Sequence, residues 1–288
     1  MPNLATVIEI LDAAYDPRWA EPWDAVGLVC GDPAAEVRKI LFAVDPVDAV
    51  VEEAVGWGAD LLVTHHPLLL KPVHGVAATT FKGRAVHRLI TGGVALLTAH
   101  TNADVAAPGV SDALARALGL SIAGPIIPTR NGSGDDPARG LGRLGVLPQP
   151  ESLRAFAVRA ASSLPATEAG IRAAGDPDRP VRLVAVCGGA GDDRELLAAV
   201  RAAGVDAYVT SDLRHHAASE AVAAGDFGAD PGGPALVDVP HWAGEWPWLA
   251  DAAALLTAGL AGHGTVEVRV SGLVTDPWAL HVPQQYGR

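Results

Sequence analysis

The 288-residue sequence predicts an α/β fold made of two similar α/β lobes, and three observations carry that prediction. Short apolar runs rich in β-branched residues alternate with amphipathic helical stretches, the pattern of parallel β-α-β units. Residues 38–66, RKILFAVDPVDAVVEEAVGWGADLLVTHH, and residues 182–212, RLVAVCGGAGDDRELLAAVRAAGVDAYVTSD, follow one plan: strand, turn, a helix ending near Gly, and a second strand ending in Val-Thr. GADLLVTHH and GVDAYVTSD align in register with Thr64 opposite Thr210, and each half continues to another strand, in GVALLTAHTNAD and PALVDVPHWAGEW.

Apolar residues make up 49% and charged residues 19%, which is the composition of a globular chain with a sizeable core. The lobes are expected at 1–128 and 141–288, with the C-terminal segment able to pack back on the first. The linker loop is placed at 129–140, TRNGSGDDPARG, where Gly, Asp and Pro cluster. Residues 225–234, GDFGADPGGP, read as a second loop inside the C-terminal lobe.

A net charge of −12 repels phosphate backbones and argues against general nucleic-acid binding, although it does not fix how the charge is distributed. No apolar run approaches the roughly 20 residues of a membrane span. The N-terminal MPNLATVIEILDAAYDP lacks the basic region of a secretion signal. Cys30 and Cys187 are far apart and form no CxxC, so a cysteine-based zinc site is not expected. The expected location is cytoplasmic.

Parallel sheets build ligand sites beyond the carboxyl ends of their strands. Four polar clusters fall at such ends. His65 and His66 close the apolar run LLVTHHPLLL, and Pro67 holds His66 extended. Two adjacent imidazoles converge poorly on one ion but can serve two ions a few Å apart; the plainer reading is a pair of satisfied core or loop histidines. His100 and Asp104 end the next strand in TAHTNAD. Asp104 is either a carboxylate ligand or part of an Asn-Asp turn that caps the following helix.

In HWAGEW, His241 and Glu245 are four residues apart, on one face of a helix, a good pair of divalent-metal ligands or an ordinary first-turn Glu beside a surface His. Trp242, Trp246 and Trp248 are expected to pack this helix. SDLRHHAASE supplies Asp212, His215 and His216 at the counterpart of the His65-His66 position. They are either partners of the metal ligands and proton carriers or a capped helix start with exposed histidines. GLGRLG, residues 140–145, matches G-x-G-x-x-G only literally, since the dinucleotide fingerprint needs a strand before it and a helix after it.

THHP, AHTNAD, TSDLRHH and VPHWAGEW, in this order and spacing, resemble the NIF-three-like dinuclear-metal proteins, also called GTP cyclohydrolase 1 type 2 homologues. The resemblance spans nearly the whole chain, with PWDAVGLVCGDP at 22–33 similar to the family's opening signature and VTDPWALHV at 274–282 similar to its closing one. It implies a NIF-three-like fold with a di-metal cleft between the lobes and the ligands His65, His66, Asp104, His241 and Glu245. It also implies a homohexamer, a trimer of dimers. Ser211 stands where Gly is common and Ala103 where a bulkier residue is usual; neither is a proposed ligand.

The leading expectation is a metal-dependent hydrolase using two divalent ions (zinc, iron, manganese or nickel), with His100, Asp212 and His216 as candidates for proton transfer. The rival is a metal-stabilised oligomeric scaffold without catalysis. The sequence specifies neither the substrate nor a phosphate cradle.

Overall fold

A computed structural model describes residues 1–129, 136–226 and 233–283. The chain has a mixed α/β fold and divides into two compact units, Met1–Val110 with Trp248–Thr275, and Ser111–Pro247 with Asp276–Arg288. Much of the expected linker and of the loop at 225–234 lies outside the described residues.

The first unit opens with α1 (Leu4–Ala14), whose first turn is capped by Asn3 accepting from the Thr6 amide at 2.9 Å. There follow β1 (Gly27–Cys30), β2 (Lys39–Ala43), α2 (Asp48–Trp57), β3 (Leu61–Thr64), α3 (Phe81–Thr91) and β4 (Ala95–Thr98). The strands lie in the order β1-β4-β3-β2, with β2, β3 and β4 parallel and β1 antiparallel at the edge. Parallel strands are covered on both faces and so must be apolar throughout; LLVT and ALLT are buried at every position. Leu41, Val50, Leu62, Leu89 and Leu96 form the core between sheet and helices. The helix α2 stops at Gly58, whose φ of 71° is the left-handed cap that turns the chain into β3. A short helix, α4 (Thr101–Val105), follows β4 almost at once.

The second unit takes most of α5 (Val110–Ala117), then β5 (Ser121–Gly124), β6 (Ile127–Pro128), β7 (Gly140–Leu141), β8 (Arg143–Ser152) and α6 (Leu153–Ser163). It continues through β9 (Arg172–Ala174), β10 (Pro180–Ala190), α7 (Arg194–Ala202), β11 (Ala207–Ser211), α8 (His215–Asp226) and β12 (Ala235–Asp238). Its sheet has the order β5-β8-β10-β11-β12-β9, parallel through β10, β11 and β12 and antiparallel toward both edges. The repeated plan is therefore physical: β2-α2-β3 and β10-α7-β11 are both parallel pairs joined by a helix. Thr64 and Thr210 are fully buried at corresponding strand ends.

GLGRLG spans β7, the turn at Gly142 and the start of β8, a strand-turn-strand arrangement that leaves no helix N-terminus for a dinucleotide. Gly142 turns with φ 61°, and a Cβ there would meet Ile126 at 2.5 Å. Arg143 is buried, paired with Asp112 at 2.7 Å, and donates to the Gly140 and Gly142 carbonyls.

The long helix α9 (His241–Gly259) contributes its start, through Pro247, to the second unit and the rest to the first. After it, β13 (Glu267–Val270) adds to β2 in parallel as the fifth strand of the first sheet. Among the described residues no helix is long and apolar enough to cross a membrane.

Candidate metal centre

In the first unit, β3 ends at Thr64 and delivers His65 and His66, whose amides continue the ladder by donating to the Ala43 and Val44 carbonyls. The His65 side chain is 1% exposed and its Nδ1 meets the Ala99 carbonyl at 2.9 Å. His66 turns its Nδ1 to Asp45 Oδ1 at 2.7 Å, and the Thr275 hydroxyl donates to the other oxygen of the same carboxylate. His100, just past β4, turns its Nδ1 to Asp24 Oδ1 at 2.8 Å. Asp24 has a fully buried side chain that also accepts from the Thr101 amide at 3.0 Å and the Thr101 hydroxyl at 2.5 Å. Burial pushes the Asp24 carboxyl up, but the bonds from His100 and Thr101 outweigh it and hold the group well below the usual carboxylate range.

Asp104 sits on α4 with Oδ1 3.7 Å from His65 Nε2. The Trp248 ring packs 5.3 Å from the His65 ring, and its indole N–H donates to the Tyr15 hydroxyl. One nitrogen from each of His65, His66 and His100 lies within 4.8 Å of the others, a group able to hold a metal ion.

In the second unit, His241 starts α9 two residues after Val239. Its Nε2 lies 2.9 Å from Glu245 Oε1 one turn later, as the four-residue spacing requires. Its Nδ1 meets Asp212 Oδ2 at 2.7 Å. Asp212 follows β11 with φ 56°, a left-handed conformation that Asp tolerates better than most residues. Glu245 is 2% exposed and lies against Gly189, where a Cβ would come 2.5 Å from its Oε1 and 3.4 Å from His241 Nε2. The end of β10, which carries Gly189, and the residue beyond it are fastened by the Thr210 hydroxyl on the Gly189 carbonyl and by the Tyr208 hydroxyl on the Gly191 carbonyl, both at 3.0 Å. His215 and His216 start α8; His216 lines a cavity of about 540 Å³ with Arg194, Arg201 and Arg214 rather than joining the His241–Glu245 pair.

The four histidines share one arrangement. Ala99, Asp45, Asp24 and Asp212 offer only acceptor oxygens, so each facing Nδ1 is the donor. For His65, His66 and His100 a neutral imidazole then carries its lone pair on Nε2, the tautomer of a metal ligand whose ring is fixed by an outer hydrogen bond. His241 Nε2 instead faces the Glu245 carboxylate at 2.9 Å, a contact between two acceptors unless a proton lies between them. The sequence reading named the histidines and, among their acceptors, Asp212 as a possible partner of the metal ligands, but not Asp24, Asp45 or the Ala99 carbonyl, nor the room made by Gly189. Asp24 and Thr275 do lie in PWDAVGLVCGDP and VTDPWALHV, the two segments singled out as signatures.

Residues 2–277 match the Duf34/NIF3 (NGG1p interacting factor 3) family. A Streptomyces coelicolor relative named GTP cyclohydrolase 1 type 2 homolog is 55% identical, over 98% of this chain and 95% of its own length. A Mycobacterium tuberculosis protein of the same name is 39% identical, over 96% of this chain and 97% of its own. Among solved structures, a Staphylococcus aureus hypothetical protein superposes with a TM-score of 0.85 at 26% identity, covering 98% of this chain and 100% of that one. A Bacillus cereus protein related to NIF3 gives 0.84 at 24% identity, covering 97% and 99%. The motifs at the strand ends and the architecture that carries them lead to one assignment: the chain belongs to the Duf34/NIF3 family.

Proposed function

We propose that the protein binds two divalent ions through His65, His66, Asp104, His241 and Glu245 and uses them to hydrolyse a small molecule. The supporting observation is the shared anchoring of the imidazoles. Every Nδ1 is committed to a fixed oxygen, which aims each Nε2 as a donor and removes the rotational freedom that binding would otherwise have to freeze. The donor set fits such ions: neutral nitrogens beside carboxylates suit zinc, iron, manganese or nickel and offset part of the charge. When bound, divalent ions supply Lewis acidity toward water and toward a carbonyl, ring carbon or phosphoryl group.

The chain's own residues orient and exclude. Asp45 and Asp212 hold His66 and His241 at Nδ1, Trp248 keeps water from one side of His65, and Gly189 lets the Glu245 carboxylate lie beside His241 Nε2. Asp212 thus acts by positioning. The same reading takes the protein to be a cytoplasmic homohexamer. Trp278, Leu280 and Val282, exposed at alternate positions of the closing segment, are apolar surface that an assembly would cover.

The test is elemental analysis of untagged protein, followed by metal stripping, reloading, and a panel of phosphoesters, nucleotides, amides and cyclic amidines. The reading expects two ions per chain and a hydrolysis that returns on reloading. Two ions with a silent panel would instead support a metal-stabilised scaffold. That rival also expects His66→Ala to impair assembly, whereas a hydrolase variant would assemble and lose turnover.

A further inference from the structure

The strand β13 closes the first sheet with one side unpaired. It runs parallel to β2, and the Glu267 and Ser271 amides donate to the Arg38 and Phe42 carbonyls at 2.7 and 2.8 Å. Residues that face the neighbour alternate along a strand, so Glu267, Arg269 and Ser271 spend their backbone groups on β2. Val268 and Val270 turn theirs the other way. Among the described residues no strand meets that side, since β13 stands last in the order β1-β4-β3-β2-β13.

Thr265–Val270, TVEVRV, has Val at every second position, carries no net charge and contains neither Pro nor Gly. Such a stretch on an open edge is a template for another strand. Its Val side chains are half-buried on one face, while Glu267 and Arg269 are 58% and 46% exposed on the other. The Arg269 guanidinium lies 4.2 Å from the centre of the Trp57 ring, which holds the charge in place at the edge.

Charged residues on an edge strand ordinarily keep other strands away. That works when the charges repel every copy they meet. In an antiparallel pair, outward-facing residues lie opposite outward-facing residues, so a two-fold axis passes through a residue. An axis through Glu267 or Arg269 sets like charges against each other, and one through Val270 sets Arg269 against Ser271. An axis through Val268 sets Glu267 opposite Arg269 of the second copy, twice, at the closely spaced positions where cross-strand side chains interact most. The same axis places Val266 opposite Val270 on the other face. This edge repels its copy in two registers and attracts it in one.

We propose that β13 pairs antiparallel with β13 of a second copy about a two-fold axis at Val268, joining the first sheets of two chains edge to edge. The contact rests on the assembly reading above only in taking the chain to self-associate. It goes beyond that reading by naming the strand, the register and the charges that select it, and it stands without a bound ion.

The experiment follows sedimentation of the full chain over a concentration series for the parent, Glu267→Arg, Arg269→Glu and Glu267→Arg/Arg269→Glu, with thermal melting as the check on folding. Each single reversal should weaken the two-fold contact by about tenfold or more, because it sets like charges opposite each other twice. The double exchange should restore it. An equal mixture of the two single variants should restore it as well, since each supplies the charge that the other's own copy lacks; misfolding of either variant would not give that result. Val268→Pro removes only an outward amide, so it should abolish the contact and leave the ladder with β2 intact. Self-association unchanged in Val268→Pro and in both single reversals would overturn the β13 contact and leave the assembly reading intact. Weakening without recovery in the mixture and the double exchange would overturn the register and the proposal with it. A parent that stays monomeric at every concentration would overturn both readings.

Discussion

The strand-helix-strand stretches at 38–66 and 182–212 share their backbone plan and differ where the strands end. In the first unit, β2 runs out into Asp45 and β3 into His65 and His66, so the metal-type ligands and the acceptor that holds one of them come from the same repeat. In the second, β10 ends in an irregular glycine-bearing stretch that includes Gly189, and β11 ends at Ser211 and leads into Asp212; the proposed ligands wait for α9, and the repeat supplies only what surrounds them. Gly189 gives Glu245 its space and Asp212 gives His241 its orientation. A parallel pair fixes where the next residues emerge, while the side chains at that point are free to change role without disturbing the buried ladder.

If the second repeat acts through the space it leaves, filling that space should do the most damage. Gly189→Ala places a methyl 2.5 Å from Glu245 Oε1 on a backbone with φ 72°. We expect a fall of about 100-fold or more in affinity for the ion that His241 and Glu245 are proposed to hold. A stability loss of about 1–2 kcal/mol from the left-handed alanine should accompany it. Adding Glu245→Asp withdraws the carboxylate by one methylene. It should recover about tenfold in affinity and none of the stability, read by chelator competition and urea unfolding. No recovery would mean that Gly189 serves the end of β10 and not the glutamate.

The two aspartates that hold the imidazoles differ in surroundings. The Asp45 side chain is 23% exposed and that of Asp212 59%, while their bonds to Nδ1 are equal at 2.7 Å. Outer partners of metal-binding histidines contribute about 10–100-fold in affinity, and the better-shielded bond contributes more. Asp45→Asn should therefore fall near the upper end and Asp212→Asn near the lower, in the same competition assay. The reverse order would show that the left-handed turn at Asp212 matters more than shielding.

Some of this was legible in the sequence and some was not. The two repeats could be read directly because buried parallel strands must be apolar throughout, and LLVTHH breaks that rule at its end. The His241–Glu245 pair was legible because a four-residue spacing maps onto one helical turn. Asp24 was not: its partner His100 lies 76 residues away, and no local period connects them. Asp45 is 21 residues from His66 and reads as a turn residue before Pro46. Gly189 was invisible for another reason, since what it contributes is the volume it does not occupy. The expectation that the C-terminal segment can pack back on the first lobe did not extend to the four-residue strand EVRV pairing with β2.

Thr275 is the smallest of these contributions and the most remote in the chain. Its hydroxyl donates to the Asp45 oxygen that does not face His66, 230 residues away, so it can reach a metal ion only by holding Asp45. Thr275→Val keeps the shape and deletes the donor. One such bond is worth about 1 kcal/mol in stability, and part of that should appear as a two- to fivefold weaker ion at His66. Thr275→Ser should restore both. In the Asp45→Asn background the substitution should no longer weaken binding, because the carboxylate it acted through is gone; a full additional loss there would show that the closing segment bears on the site by another route.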